Sequence, residues 1–240
     1  MTSRKDRFLT KLLAGFSILL LSCSTVGCTR VNQTDIAVTT PPVEVSTTET
    51  AATSDRQNQI DSENLSRAIF AGGCFWCMEK PFDDLPGVVE TTSGYTGGTV
   101  ENPTYGQVSS GGTGHYEAME VLYDPSQVSY DQLLDTFWVN VDPLDSRGQF
   151  CDKGDQYRSA IFYETPEQQA IATESKADVQ TRLEDEVATE ILPAATFYDA
   201  EDYHQNYYQT HAVRYKLYRY GCGRDQRLTQ IWGDDAPAHE

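Results

Sequence analysis

The chain predicts an α+β fold, a mixed sheet with its helices gathered on one face. Three observations predict it. Short apolar or alternating segments and longer helix-like ones follow one another in the order β-α-β-β-α-β, then α-β. Explicit caps open two of the helices. No internal repeat is visible, so one domain accounts for the patterned part of the chain. The first six elements match the split β-α-β, or ferredoxin-like, arrangement. An irregular C-terminal tail is expected after the last.

Each element has a local reason. Residues 67–71 form a short buried strand, and Gly72-Gly73 turns the chain. Residues 74–85 are helical until Pro86-Gly87 stops them. Residues 88–95 are β-like and end in Gly94-Tyr95-Thr96-Gly97-Gly98. The Gly-rich loop that follows, to Gly114, has neither the spacing nor the lysine of a phosphate-binding loop. Residues 115–123 alternate as a strand, ended by Asp124-Pro125. Ser129-Tyr130-Asp131-Gln132 is a capping box for a helix through Val139. Residues 157–163 are the next strand. Thr165 with Pro166 opens a helix to about Leu183. Residues 190–197 are a strand in which Pro193 argues for an edge position. Residues 202–215 form a short aromatic-rich helix and turn.

The N-terminal quarter is different in kind. Arg4, Lys5, Arg7 and Lys11 precede an apolar run from Leu12 to Leu21, too short to span a bilayer comfortably. Residues 1–22 are therefore expected to be an export signal, of lipoprotein type, with Cys23 or Cys28 as the acylated residue. Residues 23–66 are polar and unpatterned, a flexible tether. The catalytic domain is expected at 67–233 and a tail at 234–240. The chain is thus placed in a bacterial cell envelope, held to a membrane by lipid. Its formal charge is −18, and with four positive and one negative charge in residues 1–22 the remainder carries −21. So acidic a domain repels phosphate and excludes nucleic acid as a partner.

Chemistry concentrates at Gly73-Cys74-Phe75-Trp76-Cys77-Met78. A cysteine at a strand-to-helix junction meets backbone N–H groups that lack partners, which favour its thiolate. Phe75 and Trp76 can wall the sulfur with apolar surface. Cys74-x-x-Cys77 also permits a thiol–disulfide oxidoreductase, although Phe-Trp between the cysteines is bulky. A non-catalytic binding module is the third class, and it would tolerate loss of Cys74. Four cysteines, Cys74, Cys77, Cys151 and Cys222, could supply a zinc site, but the last two lack a paired C-x-x-C, and no metal is expected. Tyr105, Glu117, Asp152 and Tyr157 are polar residues near turns in aromatic company. Singly each is also an ordinary surface or strand residue.

Taken in order, Gly-Cys-Phe-Trp at 73–76, Gly-Tyr-x-Gly-Gly at 94–98, Asn-Pro-Thr-Tyr at 102–105, Thr-Gly-His-x-Glu at 113–117, Phe-Trp at 137–138, Gln-Tyr-Arg-Ser at 156–159 and Tyr-His-Gln-x-Tyr at 203–207 resemble the A-type peptide-methionine sulfoxide reductases. The likeness runs from about residue 67 to about 233. It implies reduction of the S epimer of methionine sulfoxide, free or in oxidised proteins, to methionine. It implies Cys74 as nucleophile, Glu117 as proton donor, Tyr105, Tyr157 and Asp152 around the sulfoxide oxygen, and Phe75 and Trp76 around the methyl group. Cys74 is left as a sulfenic acid, which a second thiol resolves. In the family that thiol commonly comes from the C-terminal tail, which points first to Cys222. Cys77 stands second, because a bridge three residues long within a helix is strained, and Cys151 third. A thioredoxin-like dithiol is expected to reduce the disulfide. No nicotinamide, flavin or metal motif is present, so no cofactor is expected.

Overall fold

The computed structural model describes residues 64–238. The expected signal at 1–22, the lipidation candidates Cys23 and Cys28, and the tether up to residue 63 lie outside the described residues.

Strand β1 (Ser66–Gly72) leads to α1 (Trp76–Asp83), β2 (Val88–Thr96), a short α2 (Tyr105–Ser109), β3 (Tyr116–Tyr123) and α3 (Tyr130–Val139). A hairpin of two-residue strands, β4 (Gly148–Gln149) and β5 (Asp152–Lys153), precedes β6 (Ser159–Tyr163). Then come α4 (Pro166–Leu183), β7 (Glu190–Pro193), β8 (Tyr198–Asp199), α5 (Tyr207–Thr210), α6 (Ala212–Gly221) and α7 (Arg224–Trp232). One six-stranded sheet has the order β7-β6-β1-β3-β2-β8. It is mixed: β6 and β7 run parallel, and the other pairs are antiparallel. Among the described residues no helix is long and apolar enough to cross a membrane.

Side chains alternate across β1 and β3, which decides the two faces. Phe70, Met119 and Val121 point to the helices, where Met78, Phe82, Leu133, Phe137 and Trp232 close the main core. Phe70 stacks on Phe82 at 5.2 Å and on Phe137 at 5.3 Å. On the reverse face Ile69, Ala71, Ala118 and Phe162 pack beneath Leu192, Ala194 and Phe197. The capping box behaves as the sequence dictates. Ser129 Oγ accepts from Gln132 N–H at 3.3 Å, and Gln132 Oε1 accepts from Ser129 N–H at 2.9 Å. Thr165 Oγ1 caps α4 by accepting from Gln168 N–H at 3.1 Å, with Pro166 at the first helical position. β7, with Pro193, lies at the sheet edge.

Three expectations change. The C-terminal segment expected to be irregular is mostly helical, as α6 and α7, because Tyr215, Arg219, Leu228 and Trp232 recur at helical spacing and are buried. The strand expected at 190–197 ends at Pro193, and a separate strand follows it. Glu190–Pro193 pairs with β6, while Tyr198–Asp199 joins β2 at the opposite edge. The Gly-rich loop also holds a helix, α2. It opens at Thr104, whose N–H donates to Gln107 Oε1 at 2.9 Å, and its Thr-x-x-Gln spacing is legible in the sequence.

Candidate active site

The site sits where β1 ends and α1 begins. The turn requires glycine at Gly73. Its φ is +80°, and a Cβ there would lie 2.5 Å from Gln149 Cβ. Cys74 and Phe75 follow, and α1 starts at Trp76. On β3, Glu117 lies opposite Tyr95 of β2 and on the same face as Met119. This brings it under the helix start, where its Oε2 accepts from Phe75 N–H at 3.3 Å. The β4–β5 hairpin turns through Phe150, at φ +53°, and presents Asp152. Tyr105 opens α2, and its N–H donates to Glu201 Oε1 at 2.9 Å. Tyr157 ends a single 3-10 turn, Asp155–Tyr157.

All seven residues proposed for the nucleophile and substrate pocket meet around one cavity of about 70 Å³. At roughly 10–15 Å³ for each water-sized group, that is room for a side-chain end of about five heavy atoms. Cys74, Phe75 and Glu117 are buried, whereas Trp76, Tyr105, Asp152 and Tyr157 are half-buried. The wall is apolar and braced. Trp76 Nε1 donates to Nδ1 of the buried His204 at 3.1 Å, and the ring of Tyr207 stacks on Trp76 at 3.8 Å. The His204 ring also lies 5.0 Å from Phe75 and 4.5 Å from Tyr105.

The electrostatics differ from the simple helix-start picture. Glu117, not the thiol, takes the N–H of Phe75. Burial pushes the Cys74 thiol well above its ordinary value, and its hydrogen bond to Cys77 and the nearby Glu117 add to this; Tyr218 works the other way. Cys77 is drawn down to about 7, chiefly by the hydrogen bond from Cys74, with Arg224 and Arg219 helping against burial. Burial raises Glu117 to about 8, against the opposing Phe75 hydrogen bond. Burial, then the Glu117 charge, raises Tyr105 to about 12 and Tyr157 further in the same direction. Both phenols thus remain donors.

Two residues of this site escaped the sequence reading. Tyr218 of α6 lines the cavity, its hydroxyl donates to Asp152 Oδ2, and its ring meets Trp76 edge-on at 5.9 Å. Its signal was the aromatic spacing of Tyr215 and Tyr218, hidden within a segment read as turn and tail. Arg224 is fully buried without a carboxylate partner among the described residues. Its Nη2 donates to Gly72 O, Met78 Sδ and Asn140 O, its guanidinium lies 4.4 Å above the Phe150 ring, and its Nε has no partner. Nothing in the sequence distinguishes it from a surface arginine.

The four cysteines among the described residues are arranged in two pairs. Cys74 and Cys77 are free and in contact. Cys151, at the exposed hairpin tip, is bonded to Cys222, the C-cap of α6. Cys222, expected first as the partner of Cys74 in turnover, is bonded here to Cys151, the third candidate. The hairpin and α6 already meet through Asp152 and Tyr218, which places those two cysteines side by side. Cys151, Asp152 and Cys222 also offer atoms within 4.8 Å of one another, but two are the bonded sulfurs.

The family model for peptide methionine sulfoxide reductase matches residues 66–236. Peptide methionine sulfoxide reductase MsrA of Bacillus licheniformis is 50% identical over 174 residues, covering 72% of this chain and 96% of its own length. MsrA 2 of Caulobacter vibrioides is 52% identical over 167 residues, 69% of this chain and 85% of its own. Among solved structures, reduced Mxr1 of Saccharomyces cerevisiae superposes with a TM-score of 0.61 at 31% identity, over 63% of this chain and 88% of that one. Methionine sulfoxide reductase A of Corynebacterium diphtheriae gives 0.58 at 36% identity, over 62% and 76%.

Proposed function

The chain belongs to the peptide methionine sulfoxide reductase family, and from that membership we propose that it reduces the S epimer of methionine sulfoxide, free and in proteins, to methionine. The observation that carries this is the convergence of one thiol, the protonated carboxyl of Glu117 and three phenols, Tyr105, Tyr157 and Tyr218, on a cavity of side-chain size. The Cys74 sulfur attacks the sulfoxide sulfur while Glu117 protonates the departing oxygen. A neutral Glu117 and the donor Tyr218 ease ionisation of Cys74, since a charged Glu117 opposes it. Thiol and sulfoxide become sulfenic acid and thioether, so the oxygen moves to Cys74 and methionine leaves. Tyr105 and Tyr157 donate to that oxygen, and Asp152 orients Tyr218. Phe75 and Trp76 hold the methyl group and so select the epimer.

Recycling follows from the two cysteine pairs. The contact between Cys74 and Cys77 favours Cys77 over Cys222 for the first step. Its thiol condenses with the sulfenic acid, giving water and a Cys74–Cys77 disulfide. Exchange with the Cys151 and Cys222 thiols then moves the disulfide to the surface and restores the first pair. A thioredoxin-like dithiol reduces it. The competing C-x-x-C oxidoreductase would act on protein disulfides directly, and the burial of both Cys74 and Cys77 disfavours that.

The sheet order, with β3 between β1 and β2, supports reading the core as a split β-α-β unit. We also propose that the chain is exported and lipid-anchored through Cys23 or Cys28, for which the basic start and the short apolar run speak. Attachment of labelled fatty acid at either cysteine is the expected result, and none would refute it. For the reaction itself, the test is single-turnover methionine release from the two resolved epimers. With Cys151–Cys222 oxidised at the start, as in the structure, about one methionine per chain from the S epimer, none from the R epimer, and none from Cys74→Ser is expected. Turnover of Cys74→Ser within tenfold of the parent would overturn the assignment.

A further inference from the structure

The string Tyr203-His204-Gln205-Asn206-Tyr207 places no side chain in the active-site cavity, yet it is tied to the elements around it. Gln205 Oε1 accepts from Ser93 N–H at 2.9 Å, and its Nε2 donates to Ser93 O at 2.9 Å and to Ala200 O at 3.0 Å. The buried Glu79 of α1 accepts from Asn206 N–H at 2.9 Å and from Tyr207 N–H at 3.2 Å. Glu201, just before the string, accepts from the Tyr95 hydroxyl and from Tyr105 N–H, both at 2.9 Å. The segment is therefore pinned to β2, α1 and α2, and His204 stands on a fixed base.

His204 meets Trp76 through one directed contact. An indole N–H can only donate, so His204 Nδ1, which accepts it at 3.1 Å, is the unprotonated nitrogen and the ring proton sits on Nε2. That Nε2 is buried without a hydrogen-bond partner among the described residues, 3.9 Å from Glu201 Oε2. Burial lowers the pKa of His204 below its ordinary value and so favours the neutral ring, against the pull of the Glu201 charge. The other holds on Trp76 are ring contacts. Tyr207 stacks on it at 3.8 Å and 7°, and Tyr218 meets it edge-on at 5.9 Å. Stacking fixes the plane of the indole but lets it slide and turn within that plane; a directional hydrogen bond at one corner removes that freedom. Trp76 lines the cavity, so the freedom removed is that of the wall itself.

We propose that His204 is a positioning residue: by accepting the Trp76 N–H it fixes the indole against the cavity, and so sets how large an alkyl group on the sulfoxide sulfur the site admits. This deepens the reading of Trp76 as part of the methyl wall and rests on it. The favoured substrates are methyl sulfoxides, and the S-ethyl homologue is disfavoured in proportion to how firmly the indole is held. His204 itself lines no part of the cavity. The wall meets the methyl group in the ground state and in the transition state alike. Loosening it therefore costs affinity and selection, not the rate of oxygen transfer.

The test is single-turnover thioether release by the full chain from the S sulfoxides of methionine and of ethionine, followed against sulfoxide concentration. One added methylene in an apolar pocket is worth about 10–200-fold, and the parent should prefer the methyl substrate within that range. His204→Phe keeps a ring and loses the acceptor. It should lower that preference by about fivefold or more. It should also raise the half-saturating concentration of methionine sulfoxide, with the plateau rate within about threefold of the parent. His204→Asn loses the ring but keeps an oxygen near the Nδ1 position, so its preference should stay closer to the parent's. The reverse order, a parent-like Phe variant and an impaired Asn variant, would mean that His204 only fills space and would overturn the proposal. A fall in plateau rate with the preference unchanged would overturn it too. The bond itself has a spectroscopic signature. Among three tryptophans, the indole N–H resonance lost in Trp76→Phe is that of Trp76. In the parent it should be protected from solvent exchange, and in His204→Phe it should move upfield and exchange faster. A Trp76 N–H that exchanges in the parent as fast as free indole would overturn the proposal even where neither His204 variant folds. Trp76→Phe should itself relax the methyl preference. If it does while both His204 variants keep the parent preference, positioning by His204 is wrong and the methyl wall stands. If it does not, the methyl-wall reading is what fails.

Discussion

Glu117 can act as an acid near neutrality because the fold buries it under a helix start. Its carboxyl keeps its proton up to about pH 8, against an ordinary 4.5. The acid is therefore present below that pH and lost as pH rises through it, so the reductase step should fall on the alkaline side near 8. The same shift means that the stability the protonated group contributes is complete below about 4.5 and lost as pH rises through 8. Glu117→Gln should lower single-turnover methionine release by about 10²–10⁴-fold and remove that alkaline limb. An unchanged profile would exclude Glu117 as the donor. Arg224 acts on the other thiol. Its charge helps hold Cys77 near 7, so Arg224→Gln should raise that value. The check is the pH dependence of alkylation at Cys77, mapped by mass spectrometry. A midpoint that stays put would show that the Cys74 hydrogen bond alone suffices.

At the scale of elements, α6 is both wall and fastening. Its Tyr218 donates to Asp152 and lines the cavity, and its C-cap cysteine is bonded to the hairpin that carries Asp152. Tyr218→Phe removes a hydrogen bond to a charged group, which is worth about 1.5–3 kcal/mol. Single-turnover release should fall by about tenfold or more, with the fold retained. A rate within twofold of the parent would reduce Tyr218 to packing. The Gly73 turn is the second element-level constraint. Gly73→Ala places a Cβ at a left-handed φ and against Gln149, whose amide bridges the Asp142 and Gly148 backbones. It should cost on the order of 2 kcal/mol in denaturant unfolding and shift Cys74 from the cavity.

At the scale of the whole molecule, the Cys151–Cys222 bond links the hairpin to the C-terminal helices across 71 residues of sequence. Chain-entropy arguments give a loop of that length at most about 4 kcal/mol. The oxidised protein should therefore melt above the reduced one and above Cys222→Ser. Equal melting temperatures would mean that α6 and α7 are held by their core contacts alone. Those contacts are substantial: Leu228 and Trp232 enter the main core, and Trp232 Nε1 donates to Val141 O at 3.1 Å.

Local pattern alone determined the mixed α+β class, the capped starts of α3 and α4, the edge position of Pro193 and the strand-to-helix turn at Gly73-Cys74. Each depends on residues within one turn or one strand, where backbone sterics and side-chain period act at short range. The motif residues Tyr105, Glu117, Asp152 and Tyr157 were also legible, because each sits in a short distinctive string. What the tertiary structure decided was everything that depends on burial or on distant neighbours. Desolvation sets the ionisation of Cys74 and Glu117, so a helix start that favours a thiolate on paper holds a thiol in the fold. The pairing of Cys151 with Cys222 follows from the meeting of hairpin and helix, not from cysteine spacing. Tyr218 and Arg224 became visible only when α6 and α7 folded back over α1, because a helix period in a polar, aromatic-rich tail does not say what that helix will cover.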